Sequence, residues 1–196
     1  MTGSQEQKMK CVAWEMATID YDYRRVLLNN DDKLGECSSF VDKNKIYKRL
    51  VMQIKNFDSA FDPTKAVNTK MILKKTTRYI GDVFNKSNLS VWAQSSFIWF
   101  KNNHKTHLKH EHLVRQDTVL FEDSFQKKYE LLFKHRNRIA HNTHSYQQNL
   151  PTLKTLGRED YVFENYFLYF SILVLIDEIF MELYEKYLDA VEDNKI

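Results

Sequence analysis

The chain has 196 residues, enough for one domain with a sizeable core, and a hydrophobic share of 43% excludes a disordered polymer. Four glycines and two prolines are too few turn formers for a hairpin-rich β-protein and favour long helices. Two cysteines, Cys11 and Cys37, make neither a disulfide framework nor a zinc signature, and a net charge of +3 hides an uneven distribution.

The polar N-terminus is followed by no apolar signal core, so a cytoplasmic protein is expected. A first helix is predicted over Gln5 to Leu28, with Val12, Met16, Ile19 and Val26 on one side, ended by Asn29-Asn30-Asp31-Asp32. A second spans about Lys43 to Phe57, with Ile46, Leu50 and Ile54 at steps of four. Asp62-Pro63 reads as a cap followed by proline at the first helical position, opening a third helix to about Phe84. A fourth covers about Leu89 to Lys101 and is dense in bulky residues, among them Trp92, Phe97, Trp99 and Phe100. The polar stretch Asn102 to Gln116 reads as a loop or a short exposed helix. Asp123 to Gln126 has the pattern of a capping box. Residues Asn142 to Asp160, punctuated by Pro151 and Gly157, read as a loop. The last helix, about Tyr161 to Asp193, carries Tyr166, Phe170, Leu173, Phe180, Tyr184, Tyr187 and Val191 on one side. Its longest apolar run, Tyr166 to Ile176, is about half of what a bilayer span needs, so no membrane is expected. The expectation is one all-α domain over 1–196, a helical bundle of five or six helices ending in a long C-terminal helix.

Charge is polarised along this sequence. Cations gather at Lys70, Lys74, Lys75 and Arg78, and again between Lys101 and Arg138, whereas the chain beyond Arg158 is acidic. All seven histidines fall between His104 and His144. A cationic face suits nucleic acid and equally suits a solvated lysine-rich helix. His104, His107, His110 and His112 have spacings that would suit a metal, but nothing beyond Glu111 supports a ligand set, and no metal or cofactor is expected.

The helix after Asp123 holds the one unusual feature. Apolar residues at Phe125, Tyr129, Leu132 and Ile139 follow steps of four, three and seven, and the position missing from this comb is Arg136. A guanidinium there loses hydration and needs a partner or a ligand. His141, which titrates near neutral pH, follows five residues later. An Arg-to-His spacing of this size is expected about once by chance in such a chain, so its weight comes from context: a helix end, an apolar comb and the polar Asn137.

The run Arg136, Asn137, His141, leading on to a long final apolar helix, resembles the HEPN superfamily of all-α domains found in toxins and defence systems. The match is close from Arg136 to Asn142 and only architectural elsewhere. The resemblance implies a metal-independent endoribonuclease acting on RNA through the ribose 2′-OH, at a composite site across a homodimer. It also implies a setting in toxin–antitoxin or phage defence. In that reading His141 is general acid or base, Arg136 holds the phosphate, and Asn137 orients the imidazole or binds ribose. Lys134, Arg138 and His144 would contact the RNA backbone. Asp177 and Glu178, which interrupt the last helix, are the natural carboxylate supports for Arg136. Asn137 and His141 share a helix face, whereas Arg136 lies ~140° around an ideal helix from His141. The two converge by a long reach, a distorted helix or a second subunit. An antitoxin of the nucleotidyltransferase type that modifies the chain, with Tyr146 as acceptor, is a further implication of the family. The competing reading is a non-catalytic helical module that binds nucleic acid or protein, with Arg136 as a structural ion pair and His141 as a dipole-stabilising helix end. Trp92, Trp99, Phe97 and Phe100 suit either base stacking or, more readily, packing.

Overall fold

A helix that is apolar around most of its circumference must be covered on nearly every side, and the last helix of this chain is such a helix. The computed structural model describes residues 2–29, 37–141 and 165–194. Within them the fold is all-α, with a single two-stranded hairpin. In chain order the helices are α1 (Thr2–Ile19), α2 (Tyr21–Asn29), α3 (Phe40–Phe57), α4 (Pro63–Ala66), α5 (Thr69–Asn85), α6 (Asn88–Trp92), α7 (Gln94–His107), α8 (Asp123–His141) and α9 (Tyr166–Asp193). The hairpin strands β1 (Leu113–Gln116) and β2 (Val119–Phe121) lie between α7 and α8, after a 3-10 turn at His110–His112.

The 28-residue α9 is the hub, and α1, α3, α5, α7 and α8 lean on it. Ile172, Leu175, Ile176, Ile179, Leu183 and Tyr187 are fully enclosed. Asn165 opens the helix: its side-chain carbonyl accepts from the Phe167 and Leu168 amides, and its Nδ2 donates to Ser96 O at 2.7 Å. One buried side chain therefore caps α9 and fastens it to α7. Gln5 Nε2 donates to Leu173 O at 2.8 Å and ties α1 to the same helix. Among the described residues no helix is long and apolar enough to cross a membrane.

Three helices expected to run unbroken are divided, each for a local reason. The first breaks at Asp20, whose Oδ1 accepts from the Tyr23 amide at 3.0 Å and so starts α2. The third breaks at Val67–Asn68, where Asn68 caps α5 through the Met71 amide and its own amide donates to Glu182 at 3.1 Å. The fourth breaks at Ala93, and its continuation α7 runs to His107, through part of the stretch expected to be a loop. The bundle thus has more helices among the described residues than the five or six expected. Gly81 leaves α5 intact. Ser39 begins α3 earlier than expected by accepting from the Asp42 amide at 3.1 Å. The last helix is described from Tyr166 rather than Tyr161, and the loop expected at 142–160 lies outside the described residues.

The hairpin replaces the rest of the expected loop. Leu113 pairs Phe121 and Gln116 pairs Val119, so one extra residue bulges from β1, and Val114 takes a φ of 49°. That conformation is costly for a β-branched residue. Helix α3 holds it: Asn44 bonds Thr118 O and the Leu120 amide, Tyr47 donates to Gln116 O at 2.8 Å, and Lys55 pairs with Asp117. Truncating Leu183 to Ala in the centre of α9 is expected to lower stability by about 2–5 kcal/mol, read as a fall in the denaturant midpoint at constant m-value.

Candidate functional site

Helix α8 is seated by its first half. Phe125 and Tyr129 are buried, and Leu132 and Phe133 pack against the core from its edge. Phe125 meets Phe121 edge-on at 5.4 Å, and the Tyr129 ring lies 6.1 Å from Phe40. The Tyr129 hydroxyl donates to Ser38 O at 2.6 Å. The expected capping box does not form. Glu122 O accepts from the Phe125 and Gln126 amides, so Asp123 is already inside the helix, and the Gln126 side chain bonds Glu130 at 2.9 Å instead of reaching back.

The helix continues as regular α-helix through His141. By backbone position Arg136 extends the row of Phe125, Tyr129 and Leu132, the face that packs inward, while Asn137 and His141 share a neighbouring face. Lys134 is exposed on this helix. Arg138 also belongs to α8, whereas His144 and Tyr146 lie outside the described residues. Each of the two carboxylates expected to support Arg136 has a lysine partner among the described residues, and the second oxygen of Asp177 is buried without a hydrogen-bond partner there. Asp177 pairs with Lys8 of α1, and Glu178 pairs with Lys75 of α5 at 2.7 Å.

The joint between α7, α8 and α9 is an apolar hollow of about 260 Å³, lined by Trp99, His107, Lys128, Leu131, Tyr169 and neighbours. Lys128 Nζ donates to His107 O at 2.9 Å and lies 5.3 Å from the Phe125 ring centre. Burial lowers the Lys128 pKa. The His107 ring packs on Trp99 at 4.9 Å, and its pKa is lowered by burial first and by the Lys128 charge second.

The four histidines from His104 to His112 do not gather into one ligand set. His104 lies against Phe100, His107 against Trp99 and His112 against Phe125 and Glu122. Among the described residues no group of three or more His, Cys, Asp or Glu side chains could hold a metal ion. The aromatic residues of the fourth predicted helix also divide. Phe97 and Phe100 are core, Trp99 is half-buried, and Trp92 stands exposed.

Sequence reasoning missed one arrangement, a cation-lined groove between α5 and α7. Its signal was present in the four-residue spacing of lysines and arginines on both helices, but only the packing of those helices shows that the two rows face one groove.

Comparison with protein-family models, with curated proteins and with solved structures gives no match.

A folded pKa below the ordinary histidine value means that the unfolded chain binds the extra proton first. The stability His107 contributes is therefore present above pH ~6.5 and falls as pH drops through that value toward the lower folded pKa. His107→Gln is expected to flatten part of the stability loss between about pH 7 and pH 5, measured by urea unfolding across that range.

Proposed function

We propose that the chain is a metal-independent endoribonuclease of the HEPN type, working as a cytoplasmic homodimer in toxin–antitoxin or phage defence. The observation that carries this reading is the course of α8, which stays helical to His141 and brings Arg136 into line behind buried Phe125 and Tyr129. A guanidinium on that face needs an anionic partner. Asp177 and Glu178, which pair with Lys8 and Lys75, would orient that guanidinium where they reach it and leave its outer N–H groups for a ligand. A scissile phosphate is an anion that meets the need.

In the proposed reaction an imidazole of His141 removes the proton of the ribose 2′-OH. The 2′-oxygen bonds to phosphorus, the bond from phosphorus to the 5′-oxygen breaks, and that oxygen leaves with a proton from an imidazolium. Arg136 binds the non-bridging oxygens bidentately and neutralises the charge that builds on them. Asn137 orients the imidazole or the ribose. Lys134, Arg138 and His144 follow the flanking backbone. On a helix that runs from Asp123 to His141, Arg136 and His141 are ~140° apart by ideal geometry. A second copy that supplies one of the two groups closes that gap, which supports a site shared by two subunits. An antitoxin of the nucleotidyltransferase type is a compatible partner.

A second reading, a non-catalytic nucleic-acid-binding module, is favoured by the cationic groove between α5 and α7, which would serve binding without any chemistry. Cleavage of RNA in the presence of a chelator separates the two. Wild-type protein is expected to cut, and Arg136→Ala and His141→Ala, each shown by circular dichroism to be folded, are each expected to lose at least ~100-fold in rate. Full activity in either folded variant removes the mechanism.

A further inference from the structure

Helix α5 and the stretch from α7 to the 3-10 turn run in opposite directions side by side and leave a groove between them. It consists of two adjoining hollows of about 440 and 230 Å³ that share Thr77 and His104. One wall carries Lys70, Lys74 and Arg78, and the other carries Lys101, Lys105 and Lys109. Lys70, Lys74 and Arg78 follow one another on α5 at ~6 Å and span ~12 Å, and Lys101 and Lys105 are likewise one turn apart on α7, with Lys109 in the link that follows it. All six side chains are exposed.

Among the described residues, two carboxylates line this groove, Glu111 and Asp82. Asp82 is 3.6 Å from Arg78, and Glu111 is 3.8 Å from His110. The five lysines have no carboxylate within ion-pair distance among the described residues. Elsewhere on the surface lysines do find acids, as Lys8, Lys55 and Lys75 do. Like charges at four-residue spacing are mildly destabilising on a helix, so Lys70, Lys74 and Arg78 on α5 and Lys101 and Lys105 on α7 carry a cost that a bound polyanion would relieve.

The shape selects among anions. A mononucleotide concentrates its charge at one end, whereas these cations are distributed along ~12 Å of α5 and along the facing wall. A membrane surface meets convex patches and would not enter a recessed channel. Between the walls lie half-buried Leu73 and the half-buried His104 ring, surfaces against which bases or sugars can lie. We propose that the groove between α5 and α7 binds the phosphodiester backbone of a single-stranded polynucleotide. None of its described lining residues comes from α8, and the binding does not depend on whether the chain cleaves RNA.

The test is fluorescence anisotropy with labelled single strands of about twelve nucleotides, within the ~4–16 nucleotides that a single-strand groove covers. Two probes are used, 2′-O-methyl oligouridylate, which blocks 2′-OH attack, and oligothymidylate. Both are expected to bind, because the groove reads phosphate. The double variant Lys74→Gln/Lys105→Gln is expected to bind about tenfold or more weakly. Its plot of log affinity against log salt is expected to be shallower by about 1.4, the loss of two phosphate contacts to a single strand. Lys48→Gln/Lys127→Gln, which removes two exposed lysines outside the groove, is expected to match wild type. Unchanged affinity and slope in the groove variant overturns the proposal. So does an equal loss in the control variant, binding of only one of the two probes, or uptake by phosphatidylserine vesicles with no oligonucleotide binding. Cleavage is not measured, so failure of the ribonuclease reading and failure of this one give separate results.

Discussion

The need to cover α9 from several directions at once governs this fold. Its buried residues include Phe167 and Leu168 near the start, Ile176 and Ile179 in the middle, and Tyr187 and Val191 near the end. Enclosing such a surface is the dominant favourable term in folding, and it fixes where the other helices lie. Acidic residues at the edge of the buried surface are then met by groups on the covering elements. Lys8 of α1 takes Asp177, Lys75 of α5 takes Glu178, and the Asn68 amide takes Glu182. These exposed pairs add little stability and mark register more than they supply energy.

Two surfaces follow from the wrapping. Helix α8 lies on the core by Phe125, Tyr129 and Leu132, and the hairpin braces its start through Phe121. The helix runs on from these residues to His141, so the backbone position of Arg136 follows in register with them. On the other side, α5 and α7 both rest on α9 by their apolar faces and turn their cations into the channel between them. The same packing that buries Ile72, Phe97 and Phe100 therefore aligns Lys74 and Lys105 across a groove.

The all-α class and the long final helix were legible in the sequence because they depend on the scarcity of glycine and proline and on simple periodicity. The helix breaks were not. Asp20, Asn68 and Ala93 interrupt patterns whose apolar spacing continues past them, and a single side-chain cap decides each of the first two. The hairpin was hidden because Leu113 to Phe121 is short and irregular, and what stabilises it is Asn44, Tyr47 and Lys55 from far along the chain. At the candidate site, the helical course of α8 through Arg136 and His141 followed from local pattern. The partners of Asp177 and Glu178 did not, because which lysine reaches a carboxylate depends on which helix packs beside it.

The central claim is that Arg136 and His141 act together on a phosphodiester, and the chemistry leaves a signature in the product ends. The most direct measurement is end-group analysis of RNA incubated with the purified protein in excess chelator. The account predicts fragments that end in a 2′,3′-cyclic phosphate and begin with a 5′-hydroxyl. Fragments that begin with a 5′-phosphate, a requirement for added divalent metal, or intact RNA would contradict it.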